Sequence, residues 1–276
     1  MNTSKPILTS VQLLKQYLRW LPAKIGLFNK GAFLLQINEI LSDDLFIASY
    51  PKSGNTWLRF VLANMKSEGE EITFKTIDRY VSDVYTSKNL LNSKKNNRII
   101  KTHQTLFEYY PKTIYIYRDY RDVLISFYHY EKALKHFTGT LEQFIISKNV
   151  NQPFGSWKEH VQKAFDFKLK YPERVLLLSY ESLLDDPLLQ LKLIKEFTGL
   201  KPMLSIEEIN TRCSFSKLKE DETKYSSDFK DVSKEHFFRE GKKGKWDSHF
   251  NENMIDILKS DTELRNLMEK LGYFYS

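Results

Sequence analysis

The chain has 276 residues and a mass of 32.8 kDa, enough for one large α/β domain, and its 41% apolar and 14% aromatic residues exclude a disordered chain. Its one cysteine, Cys213, excludes an internal disulfide and a cysteine-rich metal site and predicts a reducing, cytoplasmic location. The net charge of +7 favours anionic partners, which include nucleotides, nucleic acid, sulfated or phosphorylated substrates and an acidic membrane surface.

Most of this charge lies in the first 38 residues, which contain no acidic residue and carry five of the seven net charges. Apolar residues recur three and four positions apart between residues 11 and 28, a spacing typical of an amphipathic helix, although Pro22 should break or kink it. We predict that residues 1–42 form a basic segment packed on or beside the main domain. The alternative is a peripheral contact of residues 11–30 with an anionic membrane.

No transmembrane helix and no signal peptide are predicted. The longest apolar runs fall short of the roughly 18 to 20 residues that span a bilayer. Lys15 and Arg19 also interrupt any secretory hydrophobic region.

From residue 45 onward, short apolar strands alternate with helical patterns. Strands are predicted over 45–49, 98–102, 113–117 and 175–180. Helices are predicted over 56–66, 122–135, 141–148, 157–170, 187–198 and 253–271. This alternation indicates a single α/β domain with a central parallel sheet flanked by helices. The polar, lysine-rich stretches 82–97 and 216–245 are predicted to be long surface loops.

The segment 52–57 lies where the first buried strand turns into a helix. Gly54 lets the backbone approach an anion, and the free N–H groups at the start of the helix point toward it. Lys52 adds a full positive charge, and the hydroxyl groups of the segment add donors. This is a P-loop-like phosphate cradle, although the lysine precedes the glycine, unlike in the nucleotide-triphosphate loop. The alternative is an ordinary strand-to-helix turn with a solvated lysine.

A second cluster contains Arg118 at the end of a strand and Ser126 in the helix that follows, with Asp122 predicted as the cap of that helix. The guanidinium and the hydroxyl could converge on one anion at the carboxyl end of the sheet, where open α/β folds bind ligands. Alternatively, Arg118 is a surface ion-pair partner of Asp122.

A third cluster, Lys101 and His103, ends another strand and places a cation and an imidazole beside the same crevice. Histidine is the usual general base near neutral pH. The alternative interpretation is a hydrogen-bonded surface histidine.

A fourth cluster, residues 238–246, combines four cations with two glycines and has no strand or helix pattern. Its side chains and backbone N–H groups could wrap a polyanion, or it is simply a solvated basic loop. A nucleic-acid-binding surface would instead spread such clusters along one face with interleaved aromatic residues, so we expect no nucleic-acid partner.

In this order, the four segments resemble the family of sulfotransferases that use 3′-phosphoadenosine 5′-phosphosulfate (PAPS), especially its cytosolic branch. Residues 50–57 are similar to the family's 5′-phosphosulfate loop, and Arg118 and Ser126 keep the spacing of its 3′-phosphate motif. Residues 100–103 resemble the segment of its catalytic histidine, and 239–246 resemble its late R-K-G-x-x-G-x-W loop. The resemblance implies that residues 43–276 form a sulfotransferase domain.

The resemblance also implies PAPS as co-substrate, adenosine 3′,5′-bisphosphate (PAP) as product, and no metal. It implies that His103 takes the acceptor proton, while Lys52 and Lys101 stabilise the charge that develops during transfer. The implied cofactor-binding residues are Lys52, Ser53, Gly54, Asn55, Thr56, Trp57, Arg118, Ser126, Tyr180, Cys213, Phe215, Arg239, Glu240 and Gly241.

Three positions depart from the family pattern. Asn55 and Cys213 stand where threonine is usual, and Glu240 replaces a lysine or arginine. The loss of a positive charge at residue 240 predicts a lower affinity for the cofactor. The family's dimer-contact pattern is missing after Trp246, so the oligomeric state stays open.

The acceptor is predicted only by class: a hydroxyl or, as an alternative, an amino group of a small molecule, glycan, glycolipid, alcohol or phenol. Two other functions stay open on the residues alone. An ATP-dependent kinase would need a lysine after the second glycine of its loop and an acidic residue for Mg²⁺. A non-enzymatic module that binds anionic ligands would not need His103.

Overall fold

The computed structural model describes residues 6–9, 37–94, 96–147, 154–225 and 241–274. Two short strands, β1 (Pro6–Thr9) and β2 (Glu39–Leu41), pair antiparallel with each other. The central sheet is built from β3 (Leu45–Ser49), β4 (Val81–Asp83), β5 (Ile99–Thr102), β6 (Lys112–Tyr117) and β7 (Val175–Ser179). Its order is β4-β5-β3-β6-β7, and every neighbouring pair is parallel. The predicted α/β fold with a central parallel sheet is confirmed.

Helices connect these strands and cover the sheet. In the first half of the chain they are α1 (Asn55–Lys66), α2 (Lys88–Ser93), α3 (Tyr120–Ala133), α4 (Leu141–Ile146) and α5 (Trp157–Lys170). In the second half they are α6 (Tyr180–Asp185), α7 (Pro187–Thr198), α8 (Ile206–Arg212), α9 (Phe215–Tyr225), α10 (Glu252–Ser260) and α11 (Thr262–Lys270).

The two faces of the sheet pack against two separate apolar clusters. Phe46 and Ala48 of β3 belong to one cluster, whereas Leu45 and Ile47 belong to the other. Since successive side chains of a strand point to opposite faces, the clusters lie on opposite sides of the sheet. The first is covered by α3 and α5, and the second by α1, α7 and α8.

Several predicted boundaries are correct because local signals mark them. α5 and α7 have the predicted bounds, and each begins after a capping side chain. The predicted strand 175–180 ends one residue early because Ser179 caps α6 and Tyr180 begins it. The predicted helix 253–271 is in fact two helices, since Asp261 leaves the helical conformation and accepts a hydrogen bond from the backbone N–H of Leu264.

The prediction that 82–97 is a surface loop is wrong, because this stretch contains the end of β4 and all of α2. β4 is an edge strand whose Ser82 and Asp83 are buried, so it has no apolar alternation. The hydroxyl of Ser82 donates to the Asp78 carbonyl and accepts from the Lys94 ammonium. Buried polar side chains with such partners escape a hydrophobicity pattern.

The predicted loop 216–245 is also partly wrong, because it begins within α9. This helix buries only Leu218 and Glu222, a stripe too narrow to stand out in the sequence. Residues 226–240 lie outside the described residues, and so do the predicted amphipathic helix and membrane contact of residues 11–30. Within the described ranges, no helix combines the length and the apolarity that crossing a bilayer requires.

Candidate functional site

The loop between β3 and α1 builds a backbone anion cradle. Its last residue, Gly54, has φ of +99° and is the N-cap of α1 without offering a side-chain acceptor to the first-turn N–H groups. A Cβ at this position would lie 2.6 Å from the ring of Tyr180. Glycine is therefore required both by the left-handed backbone and by the close approach of the aromatic ring.

Lys52, in the same loop, also has a left-handed backbone, with φ of +69°. This conformation costs a non-glycine residue about 1–2 kcal/mol, and such strain is typical of functional loops. The Lys52 ammonium lies 4.5 Å from the centre of the Tyr130 ring, which favours a cation at this place.

Three buried polar atoms near this loop have no hydrogen-bond partner among the described residues. They are Ser53 Oγ, Asn55 Oδ1 and Arg118 Nε. Buried polar atoms are normally paired. The Ser53 hydroxyl and the Arg118 Nε–H can donate to the acceptor oxygens of an anionic ligand, whereas Asn55 Oδ1 is itself an acceptor and requires a donor. Ser53 and Arg118 belong to two of the predicted anion-binding motifs.

His103 follows β5, and its Nδ1 lies 2.8 Å from the carbonyl oxygen of Ser49. Because a carbonyl only accepts, Nδ1 carries the proton and the lone pair is on Nε2. Burial lowers the pKa of His103 well below its usual value, and the neighbouring charge of Lys101 lowers it further. The imidazole is therefore neutral at pH 7 and able to accept a proton.

The anion cradle and His103 are linked through Ser49. The Asn55 amide donates to Ser49 Oγ at 2.9 Å, and this oxygen lies 3.4 Å from His103 Nδ1. Asn55 begins α1, while Ser49 ends β3. Ser49 therefore contacts both the His103 imidazole and the first residue of the helix that follows the anion cradle.

Tyr85 and Phe154 surround the His103 ring with aromatic carbon. Tyr85 lies nearly parallel to it, with centroids 5.9 Å apart, and the Phe154 centroid is 5.2 Å away. The Tyr85 hydroxyl also accepts a hydrogen bond of 2.7 Å from the His103 backbone N–H.

Lys101, the second predicted catalytic residue on β5, is paired with Asp83 at 3.1 Å. Its ammonium also lies 4.6 Å from the centre of the Tyr85 ring. Burial lowers the pKa of Lys101, whereas the Asp83 carboxylate raises it. Asp83 is not among the predicted site residues, because it lies in the stretch 82–97 that is predicted to be a loop.

His160 of α5 contacts the backbone of His103. It is not among the residues predicted from the sequence. Its Nε2 lies 3.0 Å from the His103 carbonyl oxygen, and its Nδ1 lies 2.7 Å from the Tyr115 hydroxyl. Burial lowers the pKa of His160 to about 4, so the ring is neutral, with the proton on Nε2 and the lone pair facing Tyr115. Only its position on the buried face of a predicted helix could have drawn attention to it.

Arg118 follows β6 and lies over the Tyr180 ring at 4.3 Å, where Tyr180 in turn meets Trp57 edge-on. Its Nη2 donates to the Lys242 carbonyl at 3.1 Å.

The prediction that Asp122 caps α3 is wrong, because Asp119 caps this helix by accepting from the Arg121 N–H. Asp119 lies directly outside the first helical residue, whereas Asp122 is already inside the first turn.

Ser126 lies on α3 four residues after Asp122 and is half-buried. Residues four apart share one helix face, so Ser126 stands on the same side as the Asp122 carboxylate that pairs with Arg118 at 3.6 Å. Thr56 lies in the first turn of α1 and is also half-buried.

Gly241 and Phe215 are in close contact. Gly241 has φ of +62°, and a Cβ there would lie 2.1 Å from the Phe215 ring.

Cys213 lies in the core, with its thiol 3.6 Å from the Asn64 amide, and burial raises the pKa of this thiol to about 12. The predicted residues Arg239 and Glu240 lie outside the described residues.

The structure thus brings the predicted clusters together at the carboxyl ends of β3, β5, β6 and β7. Gly54 and Trp57 contact Tyr180, and Tyr180 contacts Arg118. Arg118 in turn holds the backbone next to Gly241. This is the edge of an open parallel sheet at which ligands bind.

Comparison with known proteins identifies the family. A family model described as "Sulfotransferase domain" matches residues 42–272. Sulfotransferase 1A1 of Bos taurus is 31% identical over 85% of this chain and 87% of its own length. Flavonol 4′-sulfotransferase of Flaveria chlorifolia is 28% identical over 82% of this chain and 80% of its own.

Solved structures agree with this assignment. Mouse sulfotransferase SULT7A1 complexed with PAP covers 83% of this chain and 84% of its own, with 25% identity and a TM-score of 0.63. Retinol dehydratase in a complex with retinol and PAP shares the fold, with 22% identity, a TM-score of 0.63 and coverage of 85% and 84%. The predicted resemblance is confirmed, and the chain belongs to the family of PAPS-dependent sulfotransferases.

Proposed function

We propose that this sulfotransferase uses His103 as the general base that activates a hydroxyl group of a small-molecule acceptor. The observation that carries the proposal is the hydrogen bond from His103 Nδ1 to the Ser49 carbonyl, which leaves Nε2 as the basic atom. Because burial and Lys101 lower the pKa of His103, the base is neutral and ready near pH 7. The proton of the acceptor hydroxyl passes to Nε2.

The residues present fit PAPS as the co-substrate, which when bound supplies an activated sulfonate group. Ser53 Oγ, which has no partner in the described part of the chain, and the cradle of Gly54 suit the 5′ end. The remaining proposed contacts to the 5′ end come from Lys52, Asn55 and Thr56.

Among the described residues, Arg118 Nε has no hydrogen-bond partner, which suits a contact with the 3′-phosphate. We propose Arg118, Ser126, Arg239, Glu240 and Gly241 as the residues of its site. Trp57, Tyr180 and Phe215 are proposed to surround the adenine, with Cys213 in the buried apolar cluster against which Trp57 and Phe215 pack. Aromatic side chains can stack on a planar base or meet it edge-on, and both arrangements stabilise the bound base.

Lys52 and Lys101 are proposed to stabilise negative charge during transfer. Preorganised cations in a site that excludes water lower the barrier without having to reorganise. The Asp83 carboxylate lies 3.1 Å from the Lys101 ammonium and offsets part of its positive charge. The rest of that charge acts on the transferring sulfonate.

The acceptor is proposed to be an apolar small molecule with a hydroxyl group. Tyr85 and Phe154 support this, because their ring centroids lie 5.9 Å and 5.2 Å from that of the His103 ring and the two side chains carry no charge. Among the relatives, one is named for a flavonol and one structure contains retinol. A glycan, glycolipid or amino acceptor is the alternative, and the cytoplasmic location stays a prediction.

The proposal is tested by incubating the protein with ³⁵S-labelled PAPS and a panel of acceptors. The panel contains a phenol, an aliphatic alcohol, a sterol, an amine and an oligosaccharide, all at the same concentration. We expect label in the phenol, alcohol or sterol products. Label confined to the oligosaccharide or the amine would overturn the proposed acceptor class, and no label transfer from PAPS to any acceptor or to a cell extract would overturn the function.

A further inference from the structure

Asp122 is an acidic side chain among residues that are proposed to bind a phosphate. It lies in the first turn of α3 and is 2% exposed. Its Oδ2 lies 3.6 Å from Arg118 Nη2. By charge alone, a carboxylate here weakens an anion site, because it repels the anion and offsets the guanidinium. Its other contacts show what it contributes instead.

Both carboxylate oxygens of Asp122 accept hydrogen bonds from one distant segment. The backbone N–H of Gly244 donates to Oδ2 at 2.9 Å, and that of Trp246 donates to Oδ1 at 3.0 Å. These donors follow Asp122 by more than 120 residues along the chain. Hydrogen bonds to a buried carboxylate are among the stronger ones in proteins, so this pair fixes the segment on α3.

The same segment, residues 241–246, is here called the 241–246 loop. Arg118 donates to its Lys242 carbonyl at 3.1 Å, and the ring of its Trp246 packs 3.6 Å from the Arg121 guanidinium. At the surface, its Lys243 forms an exposed ion pair with Asp185. The backbone of the loop is therefore held at residues 242, 244 and 246 by groups on or just before α3.

We propose that Asp122 is a positioning residue that holds the 241–246 loop in the geometry needed to bind the 3′-phosphate of the co-substrate. The part that concerns the phosphate rests on the proposed function. A carboxylate suits this task because both of its oxygens accept, which matches two N–H donors. An asparagine accepts at one oxygen only, and its NH₂ group would face the second N–H.

The binding of PAP and of adenosine 5′-monophosphate (AMP) to Asp122→Asn tests the proposal by isothermal titration. The two nucleotides differ only in the 3′-phosphate. We expect the Kd for PAP to rise about tenfold or more, as for a lost charge-assisted hydrogen bond, while the Kd for AMP stays within about twofold. A purely electrostatic role predicts the opposite sign, because removing the negative charge would tighten the binding of PAP.

Asp185→Asn is the matched control, because the contact that Asp185 makes with this loop in the described part of the chain is to the exposed Lys243 side chain. It should leave the Kd values of both nucleotides unchanged. A wild-type preference for PAP over AMP that persists in Asp122→Asn would overturn this inference alone. The absence of that preference in the wild-type protein would overturn the proposed cofactor as well.

Hydrogen exchange of the wild-type protein provides a test that does not depend on how the variant folds. The amide hydrogens of Gly244 and Trp246 should be protected without any ligand, because Asp122 accepts from both. In Asp122→Asn, the loss of protection should be confined to the 241–246 loop and its neighbours. Exchange of these two amides at the rate of an open chain in the wild-type protein would overturn the proposal.

Discussion

His103 donates from Nδ1 to the carbonyl oxygen of Ser49 across 2.8 Å. Ser49 is the last residue of β3, and its hydroxyl also accepts from Asn55 at the start of α1. The proposed base is therefore oriented by the same short segment that forms the anion cradle. This connection explains how one strand end can set both the place of the anion and the direction of the imidazole.

Alanine substitution of the two glycines of the 241–246 loop should distinguish the cost of a left-handed backbone from the cost of a side-chain clash. Both have positive φ, but a Cβ at Gly241 would lie 2.1 Å from Phe215, whereas a Cβ at Gly244 would meet no atom of the described residues within 4 Å. We expect Gly241→Ala to raise the Kd for PAP about tenfold or more, because the displaced Phe215 ring adds to a backbone cost of about 1–2 kcal/mol. Gly244→Ala should have only the backbone cost. Equal Kd values for the two variants in isothermal titration would contradict this account.

Asp83→Asn should change the pH dependence of the reaction through Lys101. Burial lowers the pKa of Lys101, and Asp83 holds it up. Without the carboxylate, the pKa of Lys101 falls further, and the ammonium loses its proton at a lower pH. The alkaline limb of the kcat profile should therefore move to lower pH. Asp185→Asn, a change of the same kind at the surface, serves as control, and an alkaline limb that stays in place in Asp83→Asn would refute the role of Lys101.

His160 should make the fold less stable in acid. Its pKa is lowered from 6.5 to about 4, so the unfolded chain binds its proton more readily than the folded one. The contribution of neutral His160 is complete above the unfolded pKa and is lost as the pH falls from 6.5 to about 4. Between about pH 7 and pH 4.5, this amounts to on the order of 2 to 3 kcal/mol of the free energy of unfolding.

Urea unfolding at these two pH values measures the effect of His160. His160→Gln keeps a donor and an acceptor but cannot titrate, so its free energy of unfolding should fall less in acid than that of the wild-type protein. His103, which is also buried with a lowered pKa, titrates in both proteins, and the charged form of His160 contributes to lowering that pKa, so the measured difference includes this smaller effect. The exposed His136 offers a control substitution. An identical acid dependence for wild type and His160→Gln would contradict the assignment.

Much of the fold could be predicted because its signals are local. The apolar run of β3, the caps of α5 and α7, and the glycine between β3 and α1 each show within a few residues. β4 could not be predicted, because an edge strand with buried Ser82 and Asp83 has no apolar alternation.

The candidate site was predictable as a set of motifs but not as a set of contacts. Arg118, Lys101 and His103 were found from their residue types at strand ends. The partners of these residues come from elsewhere in the chain: Asp83 for Lys101, His160 for His103 and the Lys242 carbonyl for Arg118. A periodic pattern reports which face of an element is buried, but it does not report which distant residue packs against that face.

His103 is proposed to accept the proton of the acceptor hydroxyl during sulfonate transfer. Single-turnover transfer of ³⁵S from PAPS, at saturating PAPS and acceptor, tests this role in His103→Ala with His136→Ala as control. We predict that His103→Ala lowers the rate by about a hundredfold or more while its Kd for PAP stays close to that of the wild-type protein. A His103→Ala rate close to that of the wild-type protein would contradict the account.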